Sequence, residues 1–203
     1  PYNLQGLTDG GNMVWLAYFV GRMSAAEGGR LAFLTSSDGG NGFVRKYLFD
    51  DRIIMNEWNF FQIAMSVSGK KNIIHLIFTE GDPEMTSVYY SKSEDEGENF
   101  STPVALIQSE EPLTRSPLLL ANDSRVLIFM ADAQEDGPAF RYCYSDDAGE
   151  SFYDPAIATR NISAPESLTG VLDKNGSVVL VWDDLSSTAE PGEQLYFLKG
   201  ALR

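Results

Sequence analysis

The chain has 203 residues, 43% hydrophobic and 22% charged, enough apolar material for a core and too little charge for a disordered chain. A formal charge of −14 and a pI of about 4.3 would repel a phosphate backbone, which excludes nucleic acid as a partner. One cysteine (Cys143) and one histidine (His75) exclude an intrachain disulfide and the usual Cys/His zinc sites, and no apolar stretch reaches the length of a membrane span.

In chain order, short apolar runs alternate with turn signals. Pro1–Leu7 has a claim as a first strand. Asp9-Gly10-Gly11-Asn12 then turns into Met13–Phe19, followed by Leu31–Leu34 and Val44–Leu48. The series begins again with Ile63–Val67, a turn at Ser68-Gly69-Lys70-Lys71, then Ile73–Phe78, Val88–Tyr90 and Val104–Ile107. A third round is Leu118–Ala121, Val126–Met130, Phe140–Cys143 and Ala156–Ala158, and a fourth is Leu168–Leu172, Val178–Trp182 and Leu195–Leu198. β-Branched and aromatic residues dominate these runs, and no segment of convincing length has helical period. Each unit therefore reads as strands A, B, C and D, with boundaries near 1–56, 57–111, 112–164 and 165–203, the last lacking strand D. A four-stranded meander repeated every 40 to 50 residues predicts an all-β, propeller-type domain of about four blades, because one blade cannot bury both faces alone.

Between strands C and D the same skeleton, S-x-D-x-G-x-x-F, recurs three times. It runs through Ser36, Asp38, Gly40 and Phe43, then Ser93, Asp95, Gly97 and Phe100, then Ser145, Asp147, Gly149 and Phe152, at serine spacings of 57 and 52 residues. The glycine can take positive φ, the aspartate can accept hydrogen bonds from turn amides, and the phenylalanine is expected to tuck into the packing. Each turn offers too few converging oxygens for a calcium site.

This pattern resembles the Asp box, or BNR repeat, of the sialidase-like β-propeller superfamily, over nearly the whole chain. The resemblance implies a structural role for the motif, on the rim away from the catalytic mouth. It also implies, for an active member, three substrate-gripping arginines, an acid/base Asp, a Tyr–Glu nucleophile pair and a Phe/Tyr-Arg-Ile-Pro motif. That last motif is absent; Asp51-Arg52-Ile53-Ile54 echoes it without the Pro. Arg115, ahead of a strand A, and Asp132 and Asp184, at equivalent ends of strands B with Glu80, are the weak catalytic candidates. Simple blade duplication explains the repeated carboxylates as well. His75 and Cys143 read as packed strand residues.

Four N-x-S/T acceptor patterns, at Asn99, Asn122, Asn161 and Asn175, fall in turns or linkers. The latter three are expected at the surface, whereas Asn99 could be needed by its turn. With a chain that opens on Pro1, without an initiator Met or signal-type segment, they suggest a mature or excised extracellular glycoprotein. The expectation is a secreted, non-catalytic module that binds glycans or proteins or builds an extracellular assembly, with no cofactor or metal. The alternative is a fragment or divergent member of a sialidase-type glycoside hydrolase. Leu195–Leu198, without a strand D beyond it, is an edge where another chain, including a copy of this one, could add a strand.

Overall fold

The computed structural model describes residues 2–20, 29–49, 60–68, 71–81, 85–109, 116–132, 137–160, 162, 165–184 and 194–201. Every regular element among them is a β-strand. Blade 1 contains β1 (Tyr2–Thr8), β2 (Val14–Val20), β3 (Arg30–Ser36) and β4 (Val44–Leu48). Blade 2 contains β5 (Phe61–Ser68), β6 (Lys71–Gly81), β7 (Thr86–Ser93) and β8 (Val104–Ser109). Blade 3 contains β9 (Leu118–Asn122), β10 (Arg125–Asp132), β11 (Ala139–Ser145) and β12 (Ala156–Arg160). Blade 4 has three described strands, β13 (Pro165–Leu172), β14 (Ser177–Asp184) and β15 (Gln194–Ala201). Within each sheet the strands lie in chain order and pair antiparallel, so the fold is a row of meanders.

The second strand of each blade shows why the sheets must stack. In β6, Ile73 to Thr79 are buried without a break, as expected of a strand covered on both faces. Alternate side chains go to opposite neighbours. Ile74, Leu76 and Phe78 pack with Trp15, Phe19 and Phe33 of blade 1, whereas Ile77 joins Val126, Ile128 and Met130 of blade 3. Leu127 and Phe129 continue the pattern against Val178 and Leu180 of blade 4. Among the described residues the core is divided into layers, one between each two neighbouring blades.

The innermost strands β1, β5, β9 and β13 neighbour one another in that order, and among the described residues β13 does not pack back on β1. Two repeat-equivalent glutamines tie this inner row together. Gln5 donates to Phe61 O at 2.9 Å and accepts from Ile63 N at 3.0 Å. Gln62 accepts from Leu119 N at 2.8 Å. Each supplies the partner that an unpaired inner-strand backbone group needs.

The layers also correct one expectation. Phe100 meets Phe33 edge-on at 5.1 Å, and Phe152 meets Tyr90 at 4.7 Å. Phe43, which should have tucked in likewise, is 39% exposed. The reason is directional: the phenylalanine of each motif packs on the blade before its own, and blade 1 has none before it among the described residues.

Candidate functional site

The two rims of the row differ in chemistry. On one rim stand the three motif turns, between the third and fourth strands of blades 1 to 3. In each, the serine hydroxyl donates to the aspartate at 2.7 Å (Ser36 to Asp38, Ser93 to Asp95, Ser145 to Asp147). The same hydroxyl accepts the glycine N–H four residues on, at 2.9, 2.8 and 2.8 Å for Gly40, Gly97 and Gly149. The aspartate accepts the N–H of Gly42, Asn99 or Ser151 in turn. The three glycines have φ of 92°, 87° and 81°, the left-handed region where a Cβ is disfavoured.

These bonds set the aspartates' charge. The Gly42 amide and then the Ser36 hydroxyl hold Asp38 below the usual carboxylate range. For Asp147, partial desolvation works upward but is outweighed by the Ser151 hydroxyl and amide, and its pKa falls to about 2. Asn99 donates its side-chain amide to Asp95 at 2.8 Å, so this acceptor asparagine is engaged in its turn. Asn122, expected at the surface, is instead half-buried, and its amide donates to Leu172 O of blade 4 at 2.8 Å. Asn175 is exposed, and Asn161 lies outside the described residues.

Between the turns and the blade behind them lies a buried polar relay. His75 is fully buried and shares hydrogen bonds with Ser66 Oγ at 2.8 Å and Tyr90 Oη at 2.7 Å. Burial, and then the nearby Lys92 charge, lower its pKa to about 3, so it is neutral at physiological pH. Lys92 in turn is gripped by Glu150 at 2.6 Å and Glu94 at 2.7 Å. Cys143 is buried, and burial raises its thiol pKa to about 12, which makes it a packed residue and not a nucleophile.

On the opposite rim lie the ends of β2, β6, β10 and β14 and the starts of β3, β7, β11 and β15, where the weak catalytic candidates were expected. Asp132 is only 5% exposed. Its carboxylate accepts from Ser109 Oγ of blade 2 and pairs with Arg141 at 2.8 Å, and Arg141 also donates to Gln108 O at 3.0 Å. Asp132 therefore belongs to a bracket that fastens blade 3 to blade 2 and faces the neighbouring sheet. Glu80 and Asp184 take the same place in their strands, but Arg115 and the side chain of Asp184 lie outside the described set. The inner-row glutamines and Arg141 were not anticipated; aligning the first strands would have placed Gln5 over Gln62, the one signal available.

Among the described residues, no helix is long and apolar enough to cross a membrane. No protein-family model and no curated protein matches the chain in sequence. Solved structures do match in shape. An alpha-L-arabinanase of Penicillium chrysogenum complexed with arabinobiose is similar with a TM-score of 0.63 and 14% identity, over 93% of this chain and 59% of that one. An alpha-L-arabinofuranosidase of Fusarium graminearum gives 0.63 and 13%, with the same coverage. The NanB sialidase of Streptococcus pneumoniae gives 0.53 and 16%, over 86% of this chain and 26% of that one. The likeness shows a β-propeller fold shared with glycoside hydrolases, and this chain spans about 59% of the length of the first two.

Proposed function

We propose that the chain is a secreted propeller module that binds glycans without cleaving them. The observation that carries this reading is the state of Asp132, the one catalytic candidate whose side chain is described. A general acid or base needs a carboxyl within reach of substrate. Asp132 is buried against Ser109 and Arg141 instead. The shape likeness to carbohydrate-active propellers supports a sugar ligand, as analogy and not as geometry. Secretion is supported by Asn175, an exposed acceptor asparagine in the β13–β14 turn.

A second reading, in which the chain forms part of a glycoside hydrolase, is favoured by one observation: the solved structures are such enzymes and are longer than this chain. Fluorogenic sialoside and α-L-arabinofuranoside assays separate the two, run beside a glycan array. Array binding with no turnover supports the binding module; turnover above a boiled control supports the hydrolase and overturns it.

A further inference from the structure

Two of the blade junctions seat a motif turn, and one is filled where the other is open. At the junction of blades 2 and 3, Lys92, the residue before the motif serine, reaches the turn of blade 3 and is buried there. Its ammonium donates to Glu150 at 2.6 Å and to Ala148 O at 3.4 Å, and pairs with Glu94 at 2.7 Å. Glu150 follows the motif glycine, Ala148 precedes it, and Glu94 follows the motif serine of the blade that carries Lys92.

The same three places exist between blades 1 and 2. Glu98 stands where Glu150 does, the Glu96 carbonyl where the Ala148 carbonyl does, and Ser37 where Glu94 does. The residue before the motif serine, however, is Thr35, whose side chain is too short to cross the junction. Instead of a lysine stem there is a cleft of about 540 Å³, walled by Thr35, Ser37, Val44 and Lys46 of blade 1 and by Glu96 and Glu98 of the blade 2 turn. Among the described residues the Glu98 carboxylate accepts no hydrogen bond, whereas Glu150 accepts that of Lys92. Lys46 does not take the place of Lys92. It comes from β4, lies over the rings of Phe33 and Phe100, and donates to the backbone carbonyls of Gly97 and Glu98. Asp95, Glu96 and Glu98 outweigh the charges of Lys46 and, in the adjoining groove, Lys71, while Glu94 is already paired with Lys92. With a chain charge of −14 as background, the local field favours a cation.

We propose that this cleft binds a primary ammonium on an unbranched alkyl stem, the group that Lys92 supplies from within the chain at the next junction. The ammonium is held by the Glu98 carboxylate and the Glu96 carbonyl, with the Ser37 hydroxyl in place of Glu94, and the stem lies along Thr35 and Val44. The Glu96 carbonyl already accepts the Trp15 indole N–H at 2.7 Å, and its second lone pair serves the ligand. A free alkylamine and the lysine side chain of a peptide share this chemistry. The site stands on the motif-turn rim and is independent of whether the chain holds glycans.

The test follows the amide spectrum of the whole chain by two-dimensional NMR as one of three probes is added: pentylamine, Nα-acetyl-lysine N-methylamide, or the uncharged Nε-acetylated form of the latter. Saturable shifts confined to the amides around the cleft, those of Thr35, Ser37, Gly97 and Glu98, are expected with a charged probe and not with the uncharged one. Shifts with the lysine probe assign a peptide side chain as the ligand; shifts with pentylamine alone assign a free amine. Thr35→Lys, which makes this junction match that of blades 2 and 3, is expected to abolish the shifts. Glu98→Gln, at an exposed position, is expected to weaken binding about tenfold by removing a charge-assisted bond. Each variant is first checked for native far-UV circular dichroism. No shift with either charged probe, equal shifts with the uncharged probe, shifts scattered over the acidic surface, or unchanged binding in either folded variant would each overturn the proposal.

Discussion

Three equivalent glycines with nearly the same φ but different surroundings allow strain and packing to be separated. Replacing Gly40 by Ala puts a Cβ in the left-handed region, a penalty of roughly 1–2 kcal/mol, into otherwise open space. Replacing Gly149 by Ala carries the same penalty and also drives the Cβ into the Tyr90 hydroxyl, with Tyr90 Cζ at 2.7 Å. Tyr90 must then move, and overpacking of this kind costs roughly 1–3 kcal/mol. Its movement also breaks the bond to buried His75, which adds about 1–3 kcal/mol for the group left unsatisfied. Gly149→Ala should therefore be less stable than Gly40→Ala by about 2 kcal/mol or more. Urea unfolding followed by far-UV circular dichroism reads this as a clearly lower midpoint for Gly149→Ala. Equal midpoints would mean that strain alone accounts for both and that the motif turn does not bear on the blade behind it.

Three further outcomes are expected. His75 has a folded pKa of about 3 against an ordinary 6.5, so the folded state binds fewer protons than the unfolded one between those values. Stability should be full above pH 6.5 and fall as the pH drops toward 3, by at most ~1.4 kcal/mol per pH unit from this group; a His75→Gln variant that retains an equally steep loss from pH 6.5 to 5 would contradict this. Arg141→Ala leaves the Asp132 carboxylate buried beside Ser109 without its cation and should cost about 3–5 kcal/mol in thermal or urea unfolding, whereas an effect below about 1 kcal/mol would mean that the bracket is unimportant. Gln62→Ala strands the Leu119 amide and should lower stability by about 1–3 kcal/mol, with faster exchange of that amide in hydrogen-exchange NMR; unchanged exchange would contradict the role given to it.

Much of the fold was legible because its signals are local. The strand runs, the turn residues ahead of each second strand and the Ser–Asp–Gly spacing all act within a few residues of chain, and β4 coincides with the expected Val44–Leu48. What was not legible depends on which blade stands next to which. Phe43 has the same local sequence role as Phe100 and Phe152, yet among the described residues no neighbouring blade stands over it. Asn122 carries an acceptor pattern, yet its amide is drawn to a carbonyl 50 residues away. Asp132 and Arg141 are nine residues apart, but Ser109 and Gln108, which complete their bracket, belong to another sheet. Gln5 and Gln62 act across 58 and 57 residues, beyond the reach of any periodicity within a strand.

The claim that the chain holds sugars without cutting them is tested most directly by recovering what it binds. A mixture of defined extracellular-type glycans is passed over the immobilised chain, washed and eluted, and the eluate is weighed by mass spectrometry. A retained subset is expected whose masses are those of the input glycans. Retained or released glycans shortened by a terminal residue, or no retention at all, would contradict it.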